Sequence, residues 1–337
     1  MKQEGAKPDL PLVAKHINKS GISMTATFAV AACMKNEGPF MIEWVSNYLA
    51  LGFSHAFIIT NDCDDGTDLI ADRLSEIGPV THLGNSVPLG GFAQESGMAL
   101  LKATPELGSY AWLLHCDADE LLYLHQPDPE IGRLVQELPP CDAIAFDWRY
   151  AGTTLEAWPG GLVVENCPLG SAKISKAETF SKTMFSPELF EFFSDHMPKK
   201  PARPDVVVLN SRGECLPNDA MQHRKKSRYV RYGSAHVSWE KAELRHYALR
   251  SKEAFAIKAL RGFGINPNHK KYQVGSPFWK VANRREITLD ANVKWLARLK
   301  NHVAKFLSDD VLSKLQAEAI GAMSRKAQQL QQMSIQT

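Results

Sequence analysis

The densest chemistry in this sequence is Cys116-Asp117-Ala118-Asp119-Glu120, directly after the apolar run Tyr110-Ala111-Trp112-Leu113-Leu114-His115. In an extended chain Asp117 and Asp119 point to the same side, about 6–7 Å apart along it. Two carboxylates with no basic residue beside them in sequence repel each other. A hard cation between them relieves that repulsion, and Mg²⁺ or Mn²⁺ prefers oxygen ligands. The competing reading is an acidic turn that caps the next element. A second acidic cluster, Asn61-Asp62-Cys63-Asp64-Asp65-Gly66-Thr67, and a smaller polar group, Lys35-Asn36-Glu37, also follow apolar runs.

These groups need a frame that brings them together. Thr27 to Cys33 is a short apolar run that predicts a buried strand, and Pro39 opens an amphipathic helix through Trp44, Val45, Tyr48 and Leu49. Ala56 to Thr60 predicts a second strand, and Thr67 is placed to cap the helix after it. Pro79 to Leu83 predicts a third strand, Gln94 to Ala103 a helix, and Tyr110 to Cys116 a fourth strand. Strands and helices alternating at this spacing predict an α/β fold with a mostly parallel sheet covered on both faces. Ligands of such sheets sit at the carboxyl ends of the strands. Those ends are Asn36-Glu37, Asn61 to Asp65, and Asp117 to Glu120. Beyond Ala143 to Trp148 the pattern becomes irregular, with a strand at Val206 to Leu209 and a helix at Ala254 to Leu260. Helices return after Glu286, and Gln328, Gln329, Gln331 and Gln332 are expected to mark a fraying end.

Taken in order, Lys35-Asn36-Glu37, Glu43-Trp44, Asn61-x-Cys63-x-Asp65-Gly66-Thr67 and Asp117-Ala118-Asp119-Glu120 resemble the family-2-like glycosyltransferases of the GT-A fold. Further matches are Lys182-Thr183-Met184-Phe185 with Pro187, His196-x-Pro198, and Leu244-Arg245-His246-Tyr247-Ala248-Leu249-Arg250-Ser251-Lys252-x-x-Phe255. Thr60, Cys63 and Leu121 depart from the residues usual there. The resemblance spans roughly Phe28 to Gly262. It implies a Rossmann-like mixed sheet flanked by helices, with an irregular acceptor-side region and C-terminal helices. The expected division is a polar leader over 1–24, a nucleotide-sugar-binding core over 25–150, an acceptor-side part over 151–265 and a helical extension over 266–337.

The same resemblance assigns roles. Asp117 contacts the donor ribose or the metal, Asp119 binds the metal, and Glu120 supports the loop. Asn36, Glu37 and Asn61 line the nucleotide pocket and Asp65 shapes the turn around it. Gln94 matches a position where the family often has Gln, although a solvated helix residue is the plain alternative. His246 stands where the family places a histidine that can complete the shell of a Mn²⁺ or Mg²⁺ cofactor. His196 is the next histidine with that prospect, and Lys182 belongs to the matched series. Both histidines have a structural alternative. Arg245, Arg250, Lys252, Lys258 and Arg261 flank His246. Some of them can clamp phosphates, and most are expected to be solvated. Inversion at the anomeric carbon needs one carboxylate base, for which Asp195 is the choice and Asp205 the alternative.

Composition narrows the classes. In 337 residues, 44% hydrophobic and 23% charged residues describe an ordinary folded chain. No apolar run approaches the roughly 18 residues of a spanning helix, and the first 23 residues hold no apolar core of a signal peptide. A cytoplasmic location is expected, with peripheral association at the inner face of a membrane. Six dispersed cysteines without C-x-x-C spacing predict free thiols, buried or half-buried. The net charge of +2 hides segregation: residues 1–196 hold 12 Lys and Arg against 26 Asp and Glu, and residues 197–285 hold 20 against 6. An acidic half can collect a cation while a basic half meets an anionic ligand across a cleft. The partners expected are a nucleotide-sugar donor and a glycan or glycolipid acceptor, as in surface polysaccharide or lipopolysaccharide assembly, and no nucleic acid. A nucleotidyl- or phosphotransferase would use the same acidic rim. Binding of nucleic acid through Arg224-Lys225-Lys226-x-Arg228-x-x-Arg231, with Tyr229 and Tyr232 for stacking, is the reading from another class.

Overall fold

The computed structural model describes residues 26–87, 89, 91–223, 232–260, 271 and 273–335. The polar leader, the basic run from Arg224 to Arg231 and Arg261 lie outside the described residues.

The α/β class expected from the alternating pattern is the one observed. The first half runs β1 (Phe28–Met34), α1 (Gly38–Ala50), β2 (His55–Thr60), α2 (Thr67–Ile77), β3 (Val80–Gly84), α3 (Ala93–Ala103), β4 (Trp112–His115), β5 (Glu120–Leu124), α4 (Ile131–Glu137) and β6 (Ala143–Gly152). Then come α5 (Val163–Asn166), β7 (Leu169–Gly170), β8 (Ser181–Phe185), β9 (Phe190–Phe193), β10 (Pro198–Pro201), β11 (Val208–Asn210) and β12 (Ala242–His246). The chain closes with α6 (Lys252–Leu260), α7 (Pro277–Ala282), β13 (Ile287–Thr288), α8 (Val293–Leu307) and α9 (Asp310–Ile335).

The main sheet is mixed, in the order β13-β7-β6-β8-β4-β1-β2-β3. Strands β4, β1, β2 and β3 are mutually parallel, so their carboxyl ends share one edge. The chain builds outward from β1 to β3, then returns to place β4 on the other side of β1. A crevice opens where the strand order reverses in this way. Here it separates Asn36-Glu37 from Asp117-Asp119. Strand β12 joins late, parallel to β6 and antiparallel to β5, in a register that sets His246 opposite Glu120.

Helix α1 is buried along almost its whole length, because the sheet covers one side and α8 and α9 cover the other. The polar side of the amphipathic helix expected here is therefore buried as well, Glu43, Ser46 and Asn47 included. Helix α9 continues to Ile335, past the expected fraying end. Gln is a good helix former, and Ala319, Met323 and Ala327 are buried along one face of the helix. No helix among the described residues is long and apolar enough to cross a membrane. All six cysteines are free. Cys215 is exposed, contrary to expectation, because it sits in the turn beyond β11. Tyr232, expected as a stacking platform, is buried among apolar side chains and offers no face to a base.

Candidate functional site

The three rim loops lock onto one another. Asn36 adopts a left-handed backbone with φ of 54°, and Asp62 does so with φ of 45°. Asn and Asp tolerate that region because a short polar side chain can bond locally. Asn36 Oδ1 accepts from the Asp64 amide at 2.9 Å, tying the first loop to the second. Thr67 does not cap α2 as expected, and Gly66, at φ of 86°, takes that position. The Thr67 hydroxyl instead accepts from the Glu37 and Gly38 amides at 2.8 and 2.6 Å and donates to Asp65 at 2.6 Å. Asn61 lies at the exposed edge, where its amide donates to Asp62. The structure therefore brings Asn36, Glu37 and Asp65 to the crevice, while Asn61 spends its side chain on its own loop.

The loop after β4 is a tight turn, closed by the Glu120 amide on the Asp117 carbonyl at 3.0 Å. It is not the extended segment assumed for Asp117 and Asp119, and the two carboxylates take different partners. Helix α1 holds the turn from beneath: Trp44 Nε1 donates to the Asp117 carbonyl at 3.1 Å and the Tyr48 hydroxyl to the Glu120 carbonyl at 3.0 Å. Glu120 is fully buried and accepts from the Asp117 amide at 2.8 Å. Burial raises its carboxyl far above the usual range, beyond what Lys182 opposes.

On one side of the turn lies a buried ionic cluster centred on Lys182 of β8, which has no exposed surface. The Lys182 ammonium donates to Asp117 Oδ1 at 3.1 Å, to Asp195 Oδ1 at 2.7 Å and to the Asp195 carbonyl at 3.0 Å. Gln94, carried in by α3, donates to the same two carboxylates at 3.1 and 3.2 Å. Burial works against charge on Lys182, yet Asp117 and Asp195 hold its ammonium well above the ordinary range. Burial also raises Asp195, but Lys182 outweighs it and keeps this carboxyl ionised well below its ordinary range. His115 Nδ1 meets the Asp195 carbonyl at 3.0 Å, and burial pushes its ring down to about 4. His196 Nδ1 donates to the Ser181 carbonyl at 2.9 Å, leaving Nε2 at 3.7 Å from Asp195 Oδ2. Asp205 is elsewhere, exposed and paired with Arg203.

On the other side of the turn Asp119 meets the basic half of the chain. Lys258 of α6 donates to Asp119 Oδ2 at 2.5 Å and to the Ala248 carbonyl at 3.2 Å. His246 Nε2 stands 3.6 Å from the same oxygen, and its ring packs on Trp148 and Tyr150. Burial tends to raise the Asp119 carboxyl, but Lys258, then His246, hold it well below its usual range. Arg250 donates to Glu37 at 2.7 Å and to the Ala118 carbonyl at 2.6 Å, lying 3.8 Å over the Phe40 ring. Of the other flanking cations, Arg245 is buried against Glu243 and Tyr123, away from the rim. Lys252 pairs with exposed Glu156.

A cleft open to solvent borders this cluster, with Asn36, Phe40, Asp65, Arg250 and Lys258 on its walls. Helix α9 supplies Met323 and Lys326 to the same cleft, and Lys326 pairs with Asp64. Sequence reasoning placed Asp64 on the rim but passed over Lys326, which stands 262 positions away with no local motif to link the two. It also placed Lys258 only among cations around His246.

The expected Mn²⁺ or Mg²⁺ can be weighed against this geometry. Asp119 and His246 offer two ligands, whereas Asp117 turns to Lys182 and Gln94. No group of three or more His, Cys, Asp or Glu side chains poised for a metal occurs among the described residues. Lys258 already holds the Asp119 oxygen that His246 faces. As arranged, these residues form an ion pair and not a cation-binding shell.

No protein-family model matches the chain, and no curated protein matches it. Among solved structures it is similar to S. aureus TarS 1–349, at 12% identity and a TM-score of 0.38, covering 91% of this chain and 92% of that one. Glucosyl-3-phosphoglycerate synthase from Mycobacterium tuberculosis, in complex with Mn²⁺, UDP and phosphoglyceric acid, gives 15% identity and a TM-score of 0.30 over 52% of this chain and 60% of that one. HddC from Yersinia pseudotuberculosis gives 9% and 0.32, over 55% of this chain and 90% of that one. Similarity at this level leaves the activity to be argued from the site.

Proposed function

We propose that the protein is a glycosyltransferase that moves a sugar from a nucleoside diphosphate donor to an acceptor hydroxyl of a glycan or glycolipid. The observation that carries this reading is a cleft lined by Asn36, Asp65, Arg250 and Lys258, with Arg250 paired to Glu37 and Lys258 to Asp119 where β1 and β4 end, and with the Asp117–Lys182–Asp195 cluster across the same turn. A polar rim of both signs suits a ligand with ribose hydroxyls at one end and a diphosphate at the other. Asn36, Glu37 and Asp65 would meet the nucleoside, and Arg250 and Lys258 the phosphates. A divalent ion would have to displace Lys258 to reach Asp119 and His246.

In the transfer, the acceptor oxygen forms a bond to the anomeric carbon as the bond to the diphosphate oxygen breaks. The electron pair leaves with the nucleoside diphosphate, and the hydroxyl proton goes to a carboxylate on the acceptor side. Asp195 takes that part. One of its oxygens is fixed by Lys182 and Gln94, the other faces His196, and the side chain is 21% exposed. A base on the face opposite the leaving group gives inversion. An ionised carboxylate of low basicity accepts the proton late, once bond formation has made the hydroxyl acidic.

A panel of nucleotide sugars, assayed for release of the nucleoside diphosphate, tests this reading. Asp195→Asn should lower turnover by about 10²–10⁴-fold, the usual contribution of a positioned base, while donor binding stays close to wild type. Wild-type turnover in Asp195→Asn would remove this residue as the base. Release of a sugar 1-phosphate or of a nucleoside monophosphate in place of the diphosphate would make the chain a nucleotidyl- or phosphotransferase.

A further inference from the structure

Among the described residues the cleft holds three cations, each drawn from the later part of the chain and each paired with a carboxylate on a different rim loop. Arg250 pairs with Glu37 after β1, Lys326 with Asp64 after β2, and Lys258 with Asp119 after β4. Of these, Lys258 lies on Asp119, the carboxylate that the resemblance assigns to a metal. Its ammonium contacts Asp119 Oδ2 at 2.5 Å, beside His246 Nε2 at 3.6 Å from the same oxygen, and only 12% of its side chain is exposed. A divalent ion needs several ligands and tolerates no ammonium on its own carboxylate. The other carboxylate expected at a metal, Asp117, is occupied by Lys182 and Gln94. The Lys271 amine lies over the Phe278 ring at 4.3 Å, and burial, opposed by Asp119, holds it below the ordinary lysine range.

We propose that Lys258 is the built-in cation of the donor site: Asp119 holds its ammonium toward the cleft, and it neutralises the donor diphosphate without a divalent ion. An ammonium carries three donors. Two are used on Asp119 and the Ala248 carbonyl, and the third is available to a phosphate oxygen on the cleft side. Arg250, fixed by Glu37 and the Ala118 carbonyl, supplies a second positive charge to the same cleft. Asp119 is then a positioning residue for a lysine, and His246 buttresses it. The proposal rests on the glycosyl-transfer reading but asks a separate question, namely which cation the donor meets.

Calorimetry on the full chain separates the two. UDP, GDP, CDP and dTDP are titrated into wild type and Lys258→Met, each in excess chelator and in excess Mn²⁺. At least one diphosphate should bind chelator-treated wild type within about threefold of its affinity in Mn²⁺, because the charge it needs is already present. Lys258→Met should weaken metal-free binding about tenfold or more, a typical loss for one buried charge contact. Mn²⁺ should restore part of it, since Asp119 and His246 are then free to take the ion. Lys258→Arg should keep metal-free binding. The double variant Lys258→Met/Asp119→Asn, which leaves no orphaned carboxylate to disturb folding, should lose metal-free binding and gain no response to Mn²⁺. Binding of wild type only with Mn²⁺, unchanged in Lys258→Met, overturns the proposal and leaves glycosyl transfer standing. Failure of every diphosphate under every condition overturns both.

Discussion

Lys182 illustrates how one residue holds the site together. It is an ammonium without exposed surface between two carboxylates, Asp117 and Asp195, that come from loops 78 positions apart. Desolvating three charges is costly, and the geometry compensates only because each charge has a partner within hydrogen-bond reach. Removing the lysine leaves two carboxylates facing one another across Gln94. Lys182→Met should therefore cost about 3–5 kcal/mol of stability, the usual penalty for breaking a buried pair from one side. Adding Asp195→Asn should recover part of that loss, because the repulsion goes with the charge. Urea denaturation of the single and double variants measures both. A single variant within about 1 kcal/mol of wild type would mean that water already screens the cluster.

At the scale of elements, α1 and α9 decide the shape of the cleft. The amino end of α1 lies so close to α9 that a Cβ on Gly38 would come within 2.9 Å of the Ala319 Cβ. Ala319 is completely buried, so a larger residue there has no room. The start of α9 is pinned separately, by Arg73 of α2 on the Asp309 carboxylate. Ala319→Leu should overpack this contact at a cost of about 1–3 kcal/mol. The same helix carries Met323 and Lys326, so nucleoside diphosphate binding should weaken together with the melting temperature. Lys314→Ala, at a position 78% exposed on the same helix, should change neither. Calorimetric melting and titration of the two variants provide the check, and an unaltered Ala319→Leu would place α9 away from α1.

The whole molecule carries a pH dependence set by buried groups outside the cleft. Burial raises Asp147 to about 7, opposed only by the Ser238 amide at 2.9 Å. Glu43 is also raised by burial to about 7, although the Val163 and Val164 amides donate to it. For a carboxyl raised in the fold, the stabilising contribution is complete below the unfolded value, near 4, and is lost as pH rises through about 7. His115, pushed down to about 4 by burial, works in the opposite sense and gains stability over part of the same window. The net slope mixes these groups, whereas a comparison of variants isolates one of them. Asp147→Asn, which still accepts from Ser238, should lose less stability than wild type between pH 5 and pH 7.5. The difference should be on the order of 3 kcal/mol, since each pKa unit is worth about 1.4 kcal/mol. Equal losses from urea midpoints at the two pH values would show that Asp147 is hydrated in solution.

What the sequence determined by itself was the rim. Apolar runs ending in polar clusters at Asn36, Asp62 to Asp65 and Asp117 to Glu120 set the strands, and parallel pairing puts their ends on one edge. The opposite charges of its two halves also foretold that basic residues would meet this rim, as Arg250 and Lys258 do. Partner choice was decided only by the tertiary structure. The turn at Asp117 to Glu120 splits two carboxylates that an extended strand would have aligned, sending one to Lys182 and the other to Lys258. Thr67 binds the Glu37 loop in place of capping its own helix, and Lys326 reaches Asp64 only because α9 folds back over α1. Local periodicity reports which face of an element is apolar. Which distant charge fills a given gap depends on how helices and strands pack in three dimensions, and adjacent residues in the chain carry no record of that.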